Sequence, residues 1–111
     1  MGFRPRRYER VPFFREVGLA WRQGTAPIPA RTFDISIGGV GIFTQVALER
    51  GQPVKITFSF TNSKKQKVVE TVDGRVAYFR ATEDGNQLGI EFLEPVAQNV
   101  YPELTQAIFK L

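Results

Sequence analysis

The sequence predicts an all-β fold, a small antiparallel barrel of about six strands whose open side or end is covered by a C-terminal helix. Three observations predict it. Apolar and polar residues alternate with a period of two through most of the chain. Turn residues recur at short intervals between these stretches. Only beyond Pro95 does the apolar spacing become helical. At 111 residues the chain has room for one modest core, so residues 1–111 are read as a single domain. An apolar content of 42% against 23% charged residues is that of a folded chain.

Residues 1–12 carry Pro5, Pro12 and dense charge without a sustained period, which predicts an extended, flexible basic arm rather than a helix; the barrel is expected over 13–94. From Glu16 the chain alternates, with Val17, Leu19 and Trp21 on one side. GTAPIPA, with its two prolines, reads as a loop leading into Arg31-Thr32-Phe33. DISIGG, at 34–39, closes that strand on a double glycine that is free to adopt positive φ, and Val40, Ile42 and Phe43 begin the next.

Gly51-Gln52-Pro53 turns the chain into VKITFSF, where Val54, Ile56, Phe58 and Phe60 form the clearest half-buried strand. NSKKQ at 62–66 is turn chemistry. Val68 to Phe79 reads as one long strand with a bulge at Asp73-Gly74, and EDGN at 83–86 turns it back into Leu88, Ile90 and Phe92. Over 96–111, Val100, Leu104, Ile108 and Leu111 share one helical face, with Asn99 as the N-cap and Pro102 in the first turn.

Composition excludes much chemistry. The absence of cysteine and histidine removes disulfides, thiolate nucleophiles, the usual zinc ligands and histidine acid–base catalysis. The acids are scattered, and no nucleophile stands beside a base, so no enzyme, metal or cofactor is expected. The basic start MGFRPRRYER is followed by no apolar run of signal-peptide or membrane-spanning length, which predicts a cytoplasmic protein without membrane insertion.

The net charge of +4 is unevenly spread: Arg4, Arg6, Arg7, Arg10 and Arg15 stand against Glu9 within the first 15 residues. Arginine has the planar fork that suits phosphates and guanine edges. In DISIGG, Asp34 and Ser36 are two apart and project on one side, while Phe33, Ile35 and Ile37 face a core. A carboxylate beside a hydroxyl suits a planar group with adjacent donors. Guanine is such a group, since a carboxylate accepts from its N1 and N2 hydrogens while arginine binds its O6 and N7 edge.

RRYER, with Arg6 and Arg10 in RxxxR spacing, followed by DISIGG in DxSxxG spacing, resembles the PilZ domain, a bacterial receptor for cyclic di-GMP. VKITFSF, GRVAY and LGIEF are similar to later strands of that family, so the likeness covers nearly the whole chain. The resemblance implies a six-stranded antiparallel β-barrel with a C-terminal helix, and cyclic di-GMP held between arm and barrel. It implies guanine and phosphate contacts from Arg6 and Arg10, ligand contacts from Asp34 and Ser36, and close approach at Gly39; Arg7 is a further arm cation that reaches a phosphate. The position before RxxxR, here Pro5, is associated in the family with binding of one or two dinucleotides. The implied output is an effector protein in motility, secretion, exopolysaccharide synthesis or virulence.

Other readings rest on the same residues. DISIGG by itself is a turn with its own hydrogen bonds. The arm by itself is a solvated basic tail, and with the aromatic content and a pI near 9.8 it supports a small basic barrel that binds single-stranded nucleic acid. A third reading is an interaction domain without a ligand. Trp21, Phe58, Phe60 and Phe92 read as core, and Tyr78 as a residue placed to stack on a base.

Overall fold

A computed structural model describes residues 8–22 and 24–109. The strands are β1 (Val11–Pro12), β2 (Glu16–Ala20), β3 (Ile28–Ser36), β4 (Gly39–Thr44), β5 (Pro53–Thr61), β6 (Lys67–Thr82) and β7 (Gly85–Phe92), followed by helix α1 (Pro102–Phe109). Strands β2 to β7 close into a six-stranded antiparallel barrel in the order β3-β2-β5-β6-β7-β4, with β4 pairing back to β3. Closure leaves no strand of the ring without two neighbours, although not along its whole length.

Alternation fills the interior as the sequence predicts. Val17 and Leu19, then Val54, Ile56, Phe58 and Phe60, then Leu88, Ile90 and Phe92 are all buried, joined by Ile35, Val40 and Ile42 from the central hairpin. Trp21 is only half-buried and packs against the edge of this core. GTAPIPA is a shorter loop than expected, because β3 starts at Ile28 and Pro29 pairs with Gly18 within the β2–β3 ladder.

The arm joins the barrel earlier than residue 13. Val11 and Pro12 pair with Ile35 and Asp34 on the same edge of β3 that β2 uses further along. Between β1 and β2 the Thr32 hydroxyl, itself buried, donates to the Phe13 carbonyl at 2.6 Å and accepts from the Arg15 amide at 2.9 Å. One side chain thus meets two backbone groups of the interruption, and backbone bonds from Phe13 to Phe33 and from Thr32 to Arg15 meet two more.

Two ladders are irregular, and neither irregularity lies at Asp73-Gly74. The β3–β4 register shifts between Thr32 and Asp34, and the β6–β7 register shifts between Val76 and Tyr78, leaving Phe33 and Ala77 as the extra residues. Gly74 pairs regularly with Val54 on one side and Phe92 on the other. The first bulge also corrects the expected facing of Phe33. Its ring lies over Gly41 on the outer face, together with Asp34, and packs against Phe43 at 4.9 Å between centroids.

Helix α1 begins at Pro102, where a missing amide hydrogen costs nothing, and Asn99 and Val100 lie in the preceding turn rather than at its cap. The cap comes from the barrel. Glu70 of β6, 7% exposed, accepts from the amides of Glu103 at 2.9 Å and Leu104 at 2.8 Å, one on each carboxylate oxygen. A carboxylate at a helix N-terminus meets both its unpaired donors and its positive dipole end. Leu104 and Ile108 then insert into the core, while Val100 stays exposed. No helix among the described residues is long and apolar enough to cross a membrane.

Candidate ligand-binding site

The β3–β4 hairpin presents DISIGG on the outer wall of the barrel. Ile35 points inward and is fully buried, whereas Asp34 stands opposite Gly41 and Ser36 opposite Gly39 on the other face. The tip is held from several sides: the Ile37 carbonyl accepts from Val96, the Gly38 carbonyl accepts from Phe92, and the Gly38 amide donates to Ser36 Oγ at 3.1 Å. The local turn bond expected of Asp34 is therefore made by Ser36, which is 4% exposed.

Asp34 instead reaches the arm. Arg10 Nη1 donates to Asp34 Oδ1 at 2.8 Å, so two residues 24 apart in sequence form a charge-assisted hydrogen bond. Both side chains keep about a quarter of their surface, 23% for Arg10 and 26% for Asp34, so the pair lies within reach of solvent. Arg6 and Arg7 lie outside the described residues. Arg15 turns away from this group and places its guanidinium 4.7 Å from the Phe60 ring centroid and 5.9 Å from that of Phe13.

The two glycines of DISIGG have roles other than left-handed backbone; among the described residues the positive-φ glycines are Gly24, Gly51 and Gly85. A Cβ on Gly38 would stand 2.7 Å from Tyr8 Cδ2, so the missing side chain lets the Tyr8 ring lie on the hairpin. A Cβ on Gly39 would collide with the Ile90 carbonyl oxygen of β7. Tyr8 was not singled out in the sequence, although an aromatic ring inside RRYER, in an otherwise charged stretch, is the signal that finds it.

Beyond Asp34 two aromatic rings cover the outer wall. Gly41 of β4 and Gly89 of β7 are direct cross-strand partners, and both are buried beneath neighbouring rings, Phe33 over Gly41 and Tyr78 over Gly89. Tyr78 is 41% exposed, and its hydroxyl accepts from Gln87 Nε2 at 3.2 Å. The next row across the wall is Arg31, Phe43, Gln87 and Arg80. Arg10, Asp34, Phe33 and Tyr78 thus stand on one outer face of the barrel, with the two rings covering the glycine backbone. Two clefts, of about 410 and 330 Å³, lie elsewhere and are lined by none of these residues. Among the described residues no group of acidic side chains converges as a metal site.

The family model of the PilZ domain matches residues 4–110. The chain belongs to the PilZ domain family. Solved structures share the architecture of this PilZ domain: the PilZ domain of YcgR from Escherichia coli with c-di-GMP has a TM-score of 0.66 and 19% identity, covering 97% of this chain and 92% of that one. The Bacillus subtilis inhibitor of motility has a TM-score of 0.71 at 14% identity, and this PilZ domain spans 51% of its length. The PilZ domain of CeSA from a cellulose-synthesizing bacterium has a TM-score of 0.59 at 19% identity. At these identities the likeness is one of fold. A curated relative, 4-diphosphocytidyl-2-C-methyl-D-erythritol kinase of Acidovorax ebreus (strain TPSY), is 35% identical over 98 residues, and the chain spans 32% of that protein.

Proposed function

We propose that this PilZ domain is a receptor for cyclic di-GMP that has no catalytic role and passes the binding event to a protein partner. The observation that carries the reading is the 2.8 Å bond between Arg10 and Asp34, which joins the second arginine of RxxxR to the aspartate of DxSxxG on the outer wall. Family membership and the YcgR structure with c-di-GMP support the same ligand. The ligand site comprises Arg6, Arg7, Arg10, Asp34, Ser36 and Gly39. Asp34 accepts from the N1–N2 edge of a guanine, and the arginines take its O6–N7 edge and the phosphates. Ser36 and Gly39 act by fixing the hairpin on which Asp34 stands.

Arg10 and Asp34 share one hydrogen bond and both keep exposed surface, so a guanine that engages both competes for that bond or adds to it. The arm then moves relative to the barrel, and the changed surface is what an effector of motility, secretion or exopolysaccharide synthesis would read. Hydrogen exchange over residues 3 to 12 is expected to slow when cyclic di-GMP binds, as the arm is ordered over the ligand; equal rates with and without it would count against this arm movement. Tyr78 is the candidate to stack on a base above Gly89. Tyr78→Ala is expected to weaken binding by roughly 1 to 3 kcal/mol, and unchanged affinity by calorimetry would remove Tyr78 from the site.

The same wall gives the competing reading its specific support, since Phe43 and Tyr78 stand beside Arg31 and Arg80, as on a single-stranded nucleic-acid platform. Titration with cyclic di-GMP, following heat and molecular mass together, separates the two. The receptor reading expects saturable binding that linear guanine oligonucleotides compete for poorly. Preference for the linear polymer, with affinity falling steeply as salt rises, would overturn it.

A further inference from the structure

The barrel is closed along only part of β6. The β5–β6 ladder runs from Thr61↔Lys67 to Pro53↔Arg75, and the last bonds on that side tie Val76 to Gly51 and Gln52. β6 continues to Thr82 with β7 as its neighbour on the other side. Among the described residues, 77–82 therefore have a bare edge, and all six are exposed. An unpaired strand edge offers alternate amides and carbonyls to a further strand. Proline and lysine, the usual deterrents, are absent from AYFRAT, and Phe79 is 40% exposed.

We propose that this edge pairs with the same edge of a second copy of the chain, as an antiparallel two-fold joining two barrels into one sheet. The pleat limits the registers. Directly opposed residues must face the same side, so the axis must pass through a residue rather than between two. An axis at Tyr78 leaves only 77–79 to pair, because Val76 is already bonded to the loop before β5. An axis at Arg80 sets two guanidinium groups against each other. An axis at Ala81 carries Phe79 onto the Glu83 turn position.

With the axis at Phe79, five residues pair, 77 to 81. Phe79 meets its copy on one face. On the other, Tyr78 stands opposite Arg80 twice, a cation beside an aromatic ring in both halves. The segment is thus self-complementary in one of its two five-residue registers, the other being the one that opposes Arg80 to itself, which favours a second copy over an unrelated strand. Five residues bury little surface, so the dimer is weak and concentration-dependent.

Sedimentation equilibrium of the whole chain, with hydrogen exchange at several concentrations, tests this. The mass is expected to rise from 12.6 kDa toward twice that value with concentration, while the exposed amides of 77–81 slow in parallel. Phe79→Asp, which places two carboxylates at the axis, is expected to weaken self-association at least about tenfold without altering cyclic di-GMP affinity. A monomer at all concentrations up to about 1 mM would overturn the proposal, leaving the edge to some other strand. So would a dimer that persists in a folded Phe79→Asp variant. Should that variant not fold, concentration-independent exchange at 77–81 in the unaltered chain is decisive against it.

Discussion

Asp34→Ala is expected to weaken cyclic di-GMP binding by about ten- to a hundredfold, with the barrel still folded. On the proposed reading the carboxylate would supply a guanine contact worth roughly 1 to 3 kcal/mol, and each 1.4 kcal/mol is about a factor of ten in Kd. Arg10→Ala and Arg6→Ala are expected to act in the same direction. The Arg10 and Asp34 losses should not add, because these two side chains already share a bond at 2.8 Å in the free protein. Calorimetric titration of the single and double variants, with melting curves as the control for folding, makes the measurement. Affinity matching that of the unaltered protein in all three single variants would sink the site assignment.

Glu70→Ala is expected to be the most destabilising polar substitution. It removes both acceptors from the amides of Glu103 and Leu104, and Leu104 is fully buried away from solvent. Hydrogen bonds to a charged group contribute about 1.5 to 3 kcal/mol each, and a stranded buried donor costs a similar amount. A net loss of about 3 kcal/mol corresponds to a fall in Tm of roughly 10 to 20 °C. Glu70→Gln keeps one acceptor and should lie between the two. A melting temperature unchanged in Glu70→Ala would mean that α1 is held by Leu104 and Ile108 alone.

The barrel was legible wherever one face of a strand is dry and the other wet. Val54, Ile56, Phe58 and Phe60 are buried between the exposed or half-exposed Lys55, Thr57 and Ser59, and that contrast is written in the residues themselves. The bulges were not legible, because an extra residue changes parity without changing composition. Phe33 therefore read as a core residue, and a glycine after an aspartate drew the expected bulge to Asp73-Gly74 when the shift lies at Ala77. Glu70 did leave a signal. It shares parity with Val72 and Val76, both buried, so a carboxylate was pointing inward and needed donors. The resemblance assigned Arg10 and Asp34 to one ligand, but their direct bond was not anticipated, and local sequence alone suggested only a turn.

Ser36 and Gly39 bear on how a match to DxSxxG is interpreted. Ser36 Oγ is engaged by the Gly38 amide, and Gly39 leaves room for the Ile90 carbonyl, so both positions answer to the hairpin's own construction. A descendant that had lost its ligand would still need them in order to fold. A match at these two positions therefore reports first on the hairpin, and the test of ligand use falls on Asp34 read jointly with Arg10.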